Sequence, residues 1–182
     1  MRTIYTNISD TCLWDHFRHG DDEAFALIYR SHVHALFDYG SRFSSDTEFV
    51  RDCIHDLFVE LSNHRSTLGS TDNIRFYLVR SLKNKIVRQQ KRVHDTVSID
   101  DCFMLEAIPD VDREEKESLR VKKKLLRDTL NQMSERQKEI IYLRYIIELN
   151  NEEIAEVMGI SYQAVRNTLY KALETLRKRI SK

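Results

Sequence analysis

Four glycines and one proline in 182 residues leave this chain almost without the residues that build tight turns. A β-sheet protein needs such turns at the end of every strand, so their scarcity predicts an all-α fold. No apolar run approaches the ~20 residues of a membrane span. The first ten residues are polar and lack the apolar core of a signal peptide. The expectation is a cytoplasmic protein without membrane insertion. Three cysteines, Cys12, Cys53 and Cys102, form no CxxC pair, which argues against both a disulfide scaffold and a zinc knuckle.

Net charge is zero, with 29 basic and 29 acidic residues. Taken alone, that argues against a nucleic-acid binder. The distribution along the chain argues for one. Residues 1–92 carry 13 basic and 12 acidic side chains, residues 93–117 carry 2 and 9, and residues 118–182 carry 14 and 8. Segregation of this kind is a partner signal that the total hides. It divides the chain into a helical domain 1–92, a flexible acidic linker 93–117 and a second small helical domain 118–182.

Apolar spacing and capping residues predict the helices. The first runs from Asp10 or Thr11 to His19 and stops at Gly20. Asp21 and Asp22 open a second, with Phe25, Ile28, Tyr29, Val33, Leu36 and Phe37 at helical spacing. Ser44, Ser45 and Asp46 open a third, with Phe49, Cys53, Leu57, Phe58 and Leu61 on one side; a fourth spans Ile74 to about Arg92. The segment from Val93 to Glu117 holds the only proline, Pro109, and its apolar residues are too irregular for a helix; it reads as a linker that docks weakly. Helices are then predicted over Leu119–Met133, from the capping box Ser134-Glu-Arg-Gln137 to about Ile147, from Asn150 or Asn151 to Met158, and from the cap Ser161 to about Ile180.

Three constellations carry functional content. The segment Asn150–Arg177 reads as a helix-turn-helix, with Gly159 suited to the left-handed position that ends its first helix. Ile154, Ala155, Met158 and Ile160 are placed to pack on Val165, Leu169, Ala172, Leu173 and Leu176. The opposite face carries Tyr162, Gln163, Arg166, Asn167, Tyr170 and Lys171, the donors, planar groups and cations that read groove edges and grip phosphates. The helix Ile74–Arg92 carries seven basic residues and no acid; Ile74, Leu78, Val79, Leu82 and Ile86 fall on one arc, the expected buried side, and Tyr77, Arg80, Asn84, Arg88 and Lys91 share another at spacings of 3, 4, 4 and 3. Cations track phosphates and a ring stacks on an unpaired base, so this face suits a distorted or single-stranded nucleic acid, or else a solvated surface with Tyr77 at the edge of the core. The third helix exposes Asp52, Asp56 and Glu60 at four-residue spacing beside Arg51 and His55, a self-repelling stripe that has a cost unless a cationic partner meets it. Catalytic patterns are weak. Seven histidines are scattered, Cys12 and His16 lack a third metal ligand, and no phosphate-binding glycine loop or nucleophile elbow is present. No enzyme activity, cofactor or metal is expected.

In their order and spacing, these motifs resemble the extracytoplasmic-function (ECF) sigma factors of bacterial RNA polymerase, over roughly Asp21–Arg92 and Leu119–Ile180. Asp52-Cys-Ile-His-Asp-Leu-Phe58 resembles the family's polymerase-binding helix, usually D-L-V-Q-D/E-V-F. Tyr77-Leu-Val-Arg-Ser-Leu-Lys-Asn84, with Arg88 and Lys91-Arg92, resembles its −10 recognition and melting helix. Leu130-Asn-Gln-Met-Ser-Glu-Arg-Gln137 and Ile154-Ala-Glu-Val-Met-Gly-Ile-Ser161, with Val165-Arg166, resemble its −35-binding domain. His55 replaces the usual Gln, Ser62 a common Trp, and Thr168 a common Arg, which removes one DNA contact. The combination resembles the Bacteroidetes-like branch.

The resemblance implies two sigma domains, region 2 over 1–92 and region 4 over 118–182, and a role in promoter-specific initiation. It implies that Asp52, His55 and Asp56 meet core RNA polymerase, chiefly its β′ clamp helices, with β a further contact. Tyr77, Arg80, Asn84, Arg88 and Lys91 would hold the −10 element and its melted strand. Tyr162, Gln163, Arg166, Asn167, Tyr170 and Lys171 would read the −35 element. An anti-sigma factor is the expected inhibitor. Two other classes compete. A free-standing regulator with a sensor domain predicts a sensor pocket or phosphoacceptor motif, and none is visible. A protein-interaction bundle leaves the basic helix Ile74–Arg92 unexplained.

Overall fold

The computed structural model describes residues 8–93, 103–104 and 117–180. Its contacts divide the chain into two units, Met1–Val97 and Ser98–Lys182. Among the described residues all regular structure is helical, and no helix is long and apolar enough to cross a membrane.

The first unit holds α1 (Asp10–Arg18), α2 (Asp22–Gly40), α3 (Thr47–His64) and α4 (Ile74–Val93), with a 3-10 turn at Arg65–Thr67. The caps are local and chemical. Ser9 accepts from the Cys12 N–H, Asp21 from Glu23 and Ala24, and Asp46 from Glu48 and Phe49. Each satisfies amide donors that a helix start leaves without partners. Gly20 takes φ +97° and turns the chain after α1. The core is built from Trp14, Phe17, Ile28, Leu36, Tyr39, Val50, Leu57 and Ile86, with Leu78 and Leu82 from the predicted buried arc of α4. Each such side chain is worth about 1.5–3 kcal/mol of burial. Gly40 sits where three helices close on one another. A Cβ there would stand 2.8 Å from Val50 Cγ1, so a larger residue requires the surrounding core to shift.

The second unit holds α5 (Glu117–Asn131), α6 (Glu135–Tyr145), α7 (Asn151–Met158) and α8 (Tyr162–Ile180). The capping box Ser134/Gln137 forms as predicted, and Asn150 with Glu153 forms a second. Gly159 has φ 63°, the left-handed geometry that ends α7. The Ser161 hydroxyl accepts from the Ala164 N–H at 3.1 Å and opens α8. Helix α8 packs on α5, α6 and α7, so one helix closes the unit's core.

Two helix boundaries differ from the sequence expectation. Helix α5 spans Glu117–Asn131 rather than Leu119–Met133. Helix α6 ends at Tyr145 rather than near Ile147. The amides of Ile146 and Ile147 both bond back to the Tyr142 carbonyl, and Glu148 takes φ 66°. Ile147 and Leu149 are both buried at this reversal. The expected linker, read as docking weakly, contributes one described core residue. Phe103 is 1% exposed and its ring meets Tyr142 of α6 edge-on, with centroids 5.9 Å apart. At least this residue of 93–117 belongs to the packing of the second unit. The expectations resting on Cys102 and Pro109 concern positions outside the described residues.

Candidate nucleic-acid interface

Helix α4 acquires its two faces from period 3.6. Ile74, Leu78, Val79, Leu82 and Ile86 are fully buried, which turns Arg80, Asn84, Arg88 and Lys91 outward, all exposed. Tyr77 is intermediate. Its ring packs on Trp14 with centroids 4.9 Å apart, and burial holds its phenol above the ordinary pKa against a hydrogen bond with Ser81. The Arg80 guanidinium lies over the Phe76 ring at 6.0 Å. Not every cation of the helix is outward. Lys83 is 6% exposed, with its ammonium 5.7 Å from the Phe43 ring.

Asp52, His55 and Asp56 of α3 are exposed, as the stripe predicts. Part of that stripe is met from within the unit. The Lys85 ammonium lies 2.6 Å from a Glu60 carboxylate oxygen, and Gln89 Nε2 donates to Asp56 at 3.4 Å. The remaining face of Gln89 is equally engaged, since its Oε1 accepts from Cys53 Sγ at 2.9 Å. Burial of Cys53 raises its thiol pKa to about 11, opposed by Lys85 and reinforced by Asp56 and Asp52, so the group is an inert core thiol rather than a nucleophile.

A cleft of about 570 Å³ opens between α3 and α4. It brings Asp56 together with Tyr77, Asn84 and Arg88, and Leu68 and His64 complete its rim. Arg80, Lys91, Asp52 and His55 do not line it. One wall is therefore anionic and the other cationic, a division that orients a chain carrying phosphates toward α4. Sequence reasoning singled out no role for Lys85, which lines the cleft together with Arg92 of the basic tail. Ser81, Lys85, Arg88 and Arg92 repeat at spacings of 4, 3 and 4, and that second arc was the available signal.

The polar face of α8 is simpler. Tyr162, Gln163, Arg166, Asn167, Tyr170 and Lys171 are all exposed, Tyr170 at 68%. Gln163 Nε2 donates to Asn167 Oδ1 at 3.0 Å, and the Arg166 guanidinium stands 5.9 Å from the Tyr162 ring centroid. Neighbouring side chains thus order one another across the face. Beneath them Val165 and Ala172 are fully buried against α7, whose Ile154, Val157 and Met158 form the opposing surface. Val157 is the one packing residue of this turn absent from the sequence reading.

Comparison with known proteins bears on both units. Residues 123–176 match the family model described as Sigma-70, region 4. The chain is 25% identical to RNA polymerase sigma factor YlaC of Bacillus subtilis over 85% of its length and 91% of that protein. It is 25% identical to the RNA polymerase sigma-H factor of Pseudomonas aeruginosa over 96% and 95%. It is 24% identical to the ECF RNA polymerase sigma-E factor of Haemophilus influenzae over 95% and 96%. Its fold is similar to that of CnrH, solved with the cytosolic domain of CnrY, at TM-score 0.60 and 22% identity, covering 93% of this chain and 95% of that one. It is also similar to sigma factor RpoE, solved with the anti-sigma factor NepR from Bartonella quintana, at TM-score 0.57 and 20% identity, over 87% and 98%. The second unit thus carries a match to sigma-70 region 4, and along nearly its whole length the chain is similar to RNA polymerase sigma factors, ECF-type members among them.

Proposed function

We propose that this sigma factor binds core RNA polymerase through its first unit and carries it to promoters marked at both −10 and −35. In this reading residues 1–92 are sigma region 2, 93–117 the linker and 118–182 region 4. Asp52, His55 and Asp56 dock on the β′ clamp helices. Tyr77, Arg80, Asn84, Arg88 and Lys91 hold the −10 element and its displaced strand. Tyr162, Gln163, Arg166, Asn167, Tyr170 and Lys171 read the −35 element. Motif resemblance supports a member of the Bacteroidetes-like branch that acts in the cytoplasm, and an anti-sigma factor that covers these surfaces until a signal releases them. The protein itself performs no chemistry; the polymerase does.

One observation carries the reading. Six side chains of the types that read a groove stand exposed on the second helix of a helix-turn-helix, inside the segment that matches sigma-70 region 4. Phosphate contacts there fix register, and base-edge contacts supply sequence preference. The experiment is reconstitution with core polymerase from the organism that carries this chain, on a library of random promoters. The expected result is factor-dependent transcripts starting a fixed distance from two recurring elements. Tight duplex binding without polymerase, and no factor-dependent transcript, would overturn it.

A further inference from the structure

Helix α1 lies outside the motifs of the two interfaces, yet two of its side chains reach the segment that leads into α4. Trp14 is the chain's single tryptophan and is fully buried. Its indole N–H donates to the Gly69 carbonyl at 2.9 Å, across 55 residues of sequence. The same ring packs on Tyr77, at 4.9 Å between centroids and 54° between planes. One turn earlier, Asp10 Oδ2 accepts from the Ile74 N–H at 2.8 Å, capping a donor at the start of α4 that the helix itself leaves without a partner. Asp10 and Trp14 are i and i+4, so they project from one side of α1.

The connection they hold has little packing of its own. Gly69, Ser70 and Asp72 are exposed, and no atom stands within 4 Å of where a Gly69 side chain would begin. Hydrogen bonds of short range also shape it, such as the Thr71 hydroxyl to the Asn73 carbonyl and the Phe76 N–H to Asn73 Oδ1. The indole supplies a long-range tie. Leu68 and Tyr77, on either side of this connection, both line the cleft shared with Asn84 and Arg88.

We propose that Trp14 is a positioning residue for promoter opening: it fixes the Tyr77 ring and the Leu68–Asn73 connection in place before DNA arrives. This rests on the reading that Tyr77 meets the displaced strand. A ring locked in advance loses little freedom when a base stacks on it, so more of the stacking energy appears as strand capture. Trp14 acts through its neighbours and touches no DNA.

The test uses the full chain in holoenzyme, on a promoter selected with the parent. Trp14→Phe keeps a ring beside Tyr77 and removes the N–H donor. It is expected to retain helical content, core-polymerase binding and closed-duplex binding. Open-complex formation, read by permanganate reactivity, should slow about threefold to tenfold, the cost of one lost hydrogen bond. Amide exchange at 68–73 should quicken in the free chain. Tyr77→Ala should slow opening at least as much, and the double variant should be no slower than Tyr77→Ala, because Trp14 works through that ring. If Trp14→Phe loses helical content, β-(3-benzothienyl)alanine at position 14 keeps the shape without the N–H and takes its place. Parent-like opening by the variant at 14 alongside slow opening by Tyr77→Ala overturns the proposal and leaves the wider reading standing. So do multiplying effects in the double variant. Parent-like opening by Tyr77→Ala overturns both.

Discussion

Helices α4 and α8 look alike as sequence, each about five turns long with an apolar stripe beneath cations and tyrosines, yet their polar faces are built differently. On α8 all six candidate contacts stand in solvent and touch mainly one another. On α4 the tyrosine is half-buried on Trp14, one lysine is enclosed beside Phe43, and another is paired with Glu60 of α3. The difference follows from position in each unit. Helix α4 is bordered by α1, α2 and α3, so neighbours reach around its flanks. Helix α8 meets its neighbours along its apolar side and leaves the other to solvent. A face like that of α8 can be altered without touching the fold. A face like that of α4 cannot, because neighbouring helices enclose part of it.

The largest expected effect tests that enclosure. Leu82→Ala, beneath the α4 face, should destabilise the first unit by about 2–5 kcal/mol through an unfilled cavity. Melting of the first unit, followed by Trp14 fluorescence, checks it; an unchanged midpoint would show that the face is not supported from below. Next, the double change Asp52→Lys and Asp56→Lys should weaken core-polymerase binding by several kcal/mol, about 2–5 for disrupted charge pairs, while circular dichroism stays constant. Unaltered co-purification with polymerase would remove α3 from the docking surface.

The tyrosines give the sharpest contrast. Tyr77→Ala should lose an aromatic contact worth about 0.5–1.5 kcal/mol beyond area burial, in addition to its effect on opening. Tyr170→Ala, at an exposed ring, should leave the denaturation midpoint unchanged and weaken only DNA binding. Equal stability losses at the two sites would erase the distinction. On α8 itself, Arg166→Ala should cost about 1–3 kcal/mol on the preferred −35 element and relax one base position. Lys171→Ala should weaken all sequences alike and lower the salt slope by about one. Binding-selection profiles at two salt concentrations separate the two behaviours.

The smallest effect is a pH dependence confined to the first unit. Burial, with the Arg75 charge, holds the His32 imidazole below its ordinary pKa of 6.5, and Asp10 partly opposes them. A basic group depressed in the folded state is neutral there and charges more readily when unfolded. Its contribution is therefore present above pH 6.5 and is lost as pH falls through and below that value. His32→Gln should flatten the acid limb of first-unit stability in denaturant titrations.

Much of this was legible beforehand. The caps at Asp21, Asp46, Ser134, Asn150 and Ser161, the left-handed Gly159 and the buried arc of α4 all depend on groups within a few residues of one another. Such groups read directly from sequence. The end of α6 was not legible, because Ile147 and Leu149 are drawn inward by a core whose other walls lie elsewhere in the chain. Phe103 was placed in a linker for the same reason. Its partner Tyr142 is 39 residues away, and nothing in the acidic run around Phe103 announces the contact.

By itself, then, the sequence determined the helical class, the positions of most helices, and the residues that form the outward arcs of α4 and α8. Local propensity and a 3.6-residue period decide those matters. The tertiary structure alone decided that Tyr77 rests on Trp14, that Gly69 hangs from an indole N–H, and that Asp56 and Arg88 line one cleft. Those pairings join segments tens of residues apart, and periodicity along one helix carries no information about which other helix will pack beside it.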